Sequence, residues 1–391
     1  MKKLASRILS IKPSPTISVS EKARKLKSQG KRLVDLSIGE PDFDTPTHIK
    51  NACIEALDKG FTHYTSSKGI IELRQAISTY YKKYFGVDIN PNNEVIVTPG
   101  SKFALYAALQ CIIDVDDEAI LLTPAWPTYW QCVESAGGRI VEVNCGDSFK
   151  LNEESLKNAI TSRSKAIIFC SPSNPTGGVL TIDELKIISD IAIDHDLYVV
   201  SDEIYRMLVY DDVKPYTMLS FDKLRDRLIV IDGFSKTYAM TGWRLGFVIA
   251  NKDIIDGIDK IQQNTTTCPS SFVQYAGVAA LLGDQSCVES MVREYDARRK
   301  FLVKELNSIE GIRCPNPKGA FYVFPDFSIL NLDSISIANQ LLDYGVVTIP
   351  GDAFGSGGEN HIRISYATSM DEIKLGVNLI RKFISDKMGK H

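Results

Sequence analysis

A chain of 391 residues, 44% hydrophobic and 24% charged, has the composition of a water-soluble globular protein and is too long for one ordinary core. Its formal charge of −3 gives no reason to expect nucleic acid or an anionic membrane as the main partner, and no apolar run approaches the ~20 residues of a membrane span. The eight cysteines are scattered with no C-x-x-C pair, and the five histidines do not cluster with them, which argues against a metal or disulfide framework and fits a reducing, cytoplasmic setting.

In chain order, residues 1–45 read as an N-terminal arm with part of a small domain, 46–285 as a large domain, and 286–391 as a long connecting helix with the rest of the small domain. The large domain alternates short β-branched runs with amphipathic stretches. The strand candidates are EVIVT (94–98), AILLT (119–123), RIVEV (139–143), KAIIFC (165–170), LYVVS (197–201), LIVID (228–232) and LGFVI (245–249). Helical patterns such as KFALYAALQCII and IDELKIISDIAIDH lie between most of them. Mostly apolar strands separated by helices predict an open α/β sheet, mostly parallel, with helices on both faces. LIVID and LGFVI stand too close for a helical crossover, so one of them is expected to run antiparallel. After residue 285, CVESMVREYDARRKFLVKELNSI predicts one long helix. AFYVF, GVVTI and HIRISY then predict strands, and MDEIKLGVNLIRKFISDK a final helix, giving a smaller α+β domain.

Open α/β sheets bind ligands outside the carboxyl ends of their strands. Those ends carry Gly100, Ser101 and Lys102 after EVIVT, Trp126 after AILLT and Asn174 after KAIIFC. Asp202 and Tyr205 follow LYVVS, and Ser235 and Lys236 follow LIVID. Singly, each has an ordinary explanation: Gly100-Ser101 as a helix cap, Trp126 as core, Asn174-Pro175-Thr176-Gly177 as a turn, Arg244 as a surface charge. Together they place an anion-binding helix start, an aromatic, an amide, a carboxylate, a phenol and an amine at one mouth.

Four segments carry a family likeness: SPSNPTG around Asn174, SDEIY around Asp202, SKTYAMTGWRLG around Lys236 and IRISYATS around Arg363. The set resembles the class I aminotransferases, which use pyridoxal 5′-phosphate on fold type I, and the likeness runs from LSIGEPDFDTP (36–46) to Arg363. The resemblance implies that Lys236 forms a Schiff base with the cofactor aldehyde and later moves the proton, and that Asp202 pairs with the pyridine nitrogen. It implies that Tyr205 and Asn174 donate to the ring oxygen and that Trp126 stacks on the ring. Ser101, Ser235, Arg244 and the backbone at Lys102 would hold the phosphate, Arg363 would clamp the substrate α-carboxylate, and Gly39 would lie beside that carboxylate. Tyr64, in HYTSSKG, resembles a tyrosine that reaches the phosphate of a neighbouring subunit, which implies a homodimer with shared active sites.

Lys102 and Lys12 resemble lysines that meet the distal carboxylate in a bacterial aspartate aminotransferase branch. The expected reaction passes the amino group of aspartate to 2-oxoglutarate. The alternatives are another transaminase substrate, such as prephenate or an aromatic amino acid, or a β-lyase (C–S lyase) on the same cofactor. A dehydrogenase is the rival from fold alone, but the chain lacks a strand-to-helix G-x-G-x-x-G; the glycine-rich GDAFGSGG (351–358) sits in a late loop.

Overall fold

The computed structural model describes residues 15–389. A short strand, β1 (Val34–Asp35), precedes the strands of the largest sheet: β2 (Val95–Thr98), β3 (Glu118–Thr123), β4 (Arg139–Asn144), β5 (Ser164–Cys170), β6 (Tyr198–Asp202), β7 (Leu228–Gly233) and β8 (Gly246–Ala250). Their spatial order is β2-β8-β7-β6-β5-β3-β4. Strands β3 to β7 are mutually parallel. The expected reversal falls on LGFVI: β8 is antiparallel to both β2 and β7, and no helix interrupts the link over 234–245.

Side-chain alternation splits this sheet between two cores. Val200, Ile229, Ile231 and Val248 face one; Val199, Leu228, Val230, Phe247 and Ile249 face the other. Both faces are dry because helices cover both. Ala104, Leu105 and Ala108 of the helix Ser101–Ile112 join the first core, and Leu73, Tyr81 and Ala276 from Ile71–Phe85 and Ser271–Leu282 join the second. Burial on two sides is why these strands read as unbroken apolar runs.

The long helix Ser286–Asn307 leads to the remaining strands, β9 (Tyr322–Val323), β10 (Val346–Val347), β11 (Ile349–Pro350) and β12 (Ile362–Ser365), and to the helices Ser334–Asp343 and Met370–Met388. β10 pairs in parallel with β1, which ties the N-terminal segment to the C-terminal part; β11, β12 and β9 form an antiparallel sheet. GVVTI, expected as one strand, is therefore shared between two sheets, and AFYVF contributes only two residues. The architecture is α/β with a smaller α+β part. Among the described residues, no helix is long and apolar enough to cross a membrane, and no His, Cys, Asp or Glu group is arranged to hold a metal.

Candidate active site

The ends of β2, β5, β6 and β7 open on a cleft of about 770 Å³, within the usual range for small-molecule sites. Ser101, Lys102, Trp126, Asn174, Asp202, Tyr205, Ser235, Lys236 and Arg244 all line it, as do Gly39 and Arg363 from the other side. Tyr64 does not: it lies on the surface, 85% exposed in the single chain. Lys12 lies outside the described residues.

Glycines shape one end of the cleft. Gly233 and Gly246 face each other across β7 and β8, and the first residue of the helix Ser101–Ile112 rests on them. A Cβ on Gly246 would stand 2.5 Å from the Ser101 nitrogen, and one on Gly233 only 2.4 Å from Ser101 Oγ. Gly100 adopts φ +88°, and a Cβ there would stand 2.5 Å from Arg244 Nη2. Arg244 itself has φ +54°, uncommon for a non-glycine residue, and its Nη1 donates to Thr241 O at 2.9 Å. The result is a helix N-terminus with free backbone N–H groups, a hydroxyl and a guanidinium: the donor set for a phosphate.

Lys236 follows in the link between β7 and β8. Thr241 Oγ1 donates to Glu40, and Thr45 Oγ1 donates to Ala239 O at 2.6 Å, so hydroxyls pin the link on both sides. The Lys236 ammonium donates to Gly39 O. Burial lowers its pKa to about 8, assisted by Arg363 and Arg244 and opposed by Glu40 and Asp202. Asp202, 5% exposed, accepts from Tyr129 Oη at 2.7 Å and from the Ile204 N–H at 3.1 Å. Burial raises its pKa to about 6 despite these donors. A cation placed against it would recover about 3 kcal/mol of that penalty.

On the opposite wall, β12 presents Arg363, also 5% exposed. Its Nη1 donates to Asn174 Oδ1 at 2.9 Å and its Nη2 to Ser37 O at 2.7 Å, while its Nε has no hydrogen-bond partner. The guanidinium lies 4.6 Å from the Tyr322 ring centroid and 5.2 Å from that of Phe354, and among the described residues no carboxylate pairs with it. Burial lowers its pKa. A buried, always-charged fork of this kind suits a planar carboxylate. Gly39 sits against this wall, where an added Cβ would approach Tyr322 Oη to 3.2 Å.

The family model for aminotransferase class I and II matches residues 31–380. The chain belongs to the class I and II aminotransferases. An aspartate aminotransferase of Pyrococcus abyssi is 44% identical over 91% of this chain and 93% of its own length. An aromatic-amino-acid aminotransferase of Thermococcus litoralis is 39% identical over 98% and 99%. The solved structure of the Thermus thermophilus aspartate aminotransferase with maleate superposes with a TM-score of 0.93 at 37% identity, covering 98% of this chain and 100% of that one.

The cleft of this aminotransferase contains groups that strand-end reasoning passed over. Tyr129 holds Asp202, and Tyr322 shares a 2.9 Å hydrogen bond with Tyr205. Tyr129 had a signal in the sequence: it stands one helical turn beyond Trp126, and the two rings meet edge to face at 5.9 Å. Arg24 and Glu40 also line the cleft, brought there by the N-terminal segment rather than by any sheet strand. Lys102 Nζ lies 4.8 Å from the Trp126 ring centroid, and its pKa is lowered, first by burial.

Proposed function

We propose that this aminotransferase binds pyridoxal 5′-phosphate in the cleft and moves the amino group of aspartate to 2-oxoglutarate, giving oxaloacetate and glutamate. The fit of the cofactor rests on the glycine cradle, whose space three Cβ atoms would fill, and on a buried Asp202 that has no cation in contact among the described residues. Ser101, Ser235, Arg244 and the N–H of Lys102 would hold the phosphate, Asp202 the pyridine nitrogen, Tyr205 and Asn174 the ring oxygen, and Trp126 the ring face. When bound, the cofactor supplies an aldehyde that takes the amino group and a ring that accepts electron density from the substrate Cα. Lys236, with its pKa near 8, is available as a neutral amine to take the proton from Cα and return it to the acceptor carbon. Arg363 holds the α-carboxylate, and Asn174 and Ser37 O fix the plane of its fork.

Cradle contacts this short predict a clear effect. Gly233→Ala is expected to weaken cofactor binding by about tenfold or more, measured by titration of the apoprotein, with little change in helix content. Unchanged affinity would contradict the phosphate assignment.

The observation that carries aspartate is that Lys102 and Arg24 share the cleft with Arg363, which leaves cations for a second carboxylate besides the one proposed for Arg363. The deciding experiment is a half-reaction panel with aspartate, glutamate, alanine, phenylalanine and tyrosine, following the spectral change of the bound cofactor. Aspartate is expected to react best. Lys102→Ala is expected to lower its rate constant over binding constant by about 10- to 100-fold while leaving alanine within about threefold. Equal losses would remove the argument for a distal carboxylate. A second reading, an aromatic substrate, draws on the half-buried Trp126 ring in the cleft and on the Thermococcus relative; tyrosine outpacing aspartate would favour it. Release of pyruvate and ammonia without a 2-oxo acid would instead favour the β-lyase. The exposed Tyr64 supports a homodimer in which it serves the neighbouring subunit's phosphate.

A further inference from the structure

Behind the strand ends, on the face away from the cleft, lies a set of buried charges that the reaction never touches. Asp202 shares the side-chain parity of Val200 and faces the cleft. Asp232 shares that of Val230 and faces the other core, with Tyr80 and Tyr81. Arg206, 3% exposed, donates through Nη2 to Asp232 Oδ2, and its Nε lies 3.7 Å from Glu203 Oε2. Its guanidinium lies 4.4 Å from the Tyr81 ring centroid and 4.3 Å from that of Phe85, and Tyr81 Oη donates to Asp232 Oδ2 at 3.2 Å. Asp232 and Glu203 are themselves 4% and 3% exposed. A buried ion pair stabilises a fold no better than apolar residues of the same volume, so stability alone does not explain this cluster.

The cluster is connected to the cleft through the main chain. Asp232 O accepts from Ser101 Oγ at 2.9 Å, and Asp232 Oδ1 accepts from the Gly233 N–H at 2.6 Å. The Glu203 N–H donates to Ile231 O at 2.8 Å. Asp232 thus sits between the phosphate cradle and the Lys236 link, while Glu203 directly follows Asp202.

We infer that Arg206 and Asp232 are positioning residues for the cofactor pocket: their buried ion pair fixes the ends of β6 and β7 and sets, from behind the sheet, the potential felt at Lys236 and Asp202. The inference rests on the cofactor reading above. The groups facing Asp232 are Arg206, Tyr80, Tyr81, Glu203 and Tyr238 from the helix Ile71–Phe85 and the segments after β6 and β7, together with Asp202 at the end of β6; those facing Lys236 are Glu40, Asp202, Arg244 and Arg363. Burial raises the pKa of both Asp232 and Glu203, and Arg206 opposes the rise in each.

The test uses full-length protein with Arg206→Met, Asp232→Asn and the double substitution, each loaded with pyridoxal phosphate. Two quantities are read: the dissociation constant for the cofactor and the pH midpoint of its visible absorbance. With Arg206 gone, the buried Asp232 and Glu203 carboxyls take up protons and leave no uncovered charge, so Arg206→Met is expected to keep the midpoint within about 0.3 pH unit of wild type. Asp232→Asn uncovers the Arg206 cation and is expected to lower the midpoint by about half to one pH unit, and the double variant to return close to wild type. An Asp232→Asn midpoint that stays put or rises, or an equal fall in both single variants, indicates packing alone and overturns the inference. Should Arg206→Met fail to fold, the near-isosteric Asp232→Asn still gives a sign: a downward shift supports the inference and any other result overturns it. A wild-type protein that shows no visible band on loading would instead remove the cofactor reading on which this one stands.

Discussion

Lys236→Ala is expected to lower turnover by at least about 10⁴-fold and to abolish the visible absorbance that develops when the protein is mixed with pyridoxal phosphate. The two losses share one cause. In the proposed reaction the amine provides both the covalent anchor and the proton carrier, and among the described residues no second lysine stands beside Asp202: Lys102, which also lines the cleft, lies over Trp126. Folding should survive the change, because the side chain's hydrogen bond goes to a single backbone carbonyl, Gly39 O. A melting temperature close to wild type would therefore separate loss of chemistry from loss of structure. The wild-type protein adds a pH signature. With its folded pKa lowered to about 8, the Lys236 amine is mostly protonated at pH 7 and mostly neutral at pH 9. Cofactor capture by the apoprotein should rise about tenfold across that interval and level off above it, whereas an ordinary lysine would give a rise of about a hundredfold with no plateau. A visible band that persists in Lys236→Ala, or turnover within tenfold of wild type, would sink the assignment.

The parts of this protein that could be read from the sequence share one physical property: they depend on neighbours close along the chain. EVIVT, AILLT, KAIIFC, LYVVS and LIVID are legible because burial on both faces demands an unbroken apolar run, and the polar residues that follow each run necessarily gather at one edge of the sheet. That one of LIVID and LGFVI reverses was legible from the shortness of the link between them; which of the two does so was not. Contacts between distant segments left no such mark. β1 and β10 are two residues each and pair only because the N-terminal segment crosses to the C-terminal part, and nothing in LVDLS shows a period. The tie between Arg206 and Asp232 joins the segment after β6 to the face of β7 away from the cleft, and nothing in the sequence pairs the two. The alternation in HIRISY placed Arg363 on a face without saying what that face meets. Asn174 and Ser37, which orient it, come from 189 and 326 residues away.

That long-range assembly makes Arg363 the second decisive position. Arg363→Lys is expected to lower the rate constant over binding constant by about 10²- to 10⁴-fold for every amino acid in the half-reaction panel, through weaker substrate binding more than through slower chemistry. The lysine keeps the charge, so a loss of this size would measure the planar, two-pronged fork and not the field. A single ammonium cannot meet Asn174 Oδ1, Ser37 O and a carboxylate in the directions that the guanidinium does. Cofactor affinity should change by less than about threefold, because the donors proposed for the phosphate belong to the other end of the cleft. The contrast with Lys102 makes the result diagnostic: Lys102→Ala should discriminate between aspartate and alanine, whereas Arg363→Lys should penalise both alike, since every amino acid carries the α-carboxylate proposed to meet this guanidinium. A variant that binds aspartate as well as wild type would show that the α-carboxylate docks elsewhere. The buried Nε without a partner would then need a different anion to account for it.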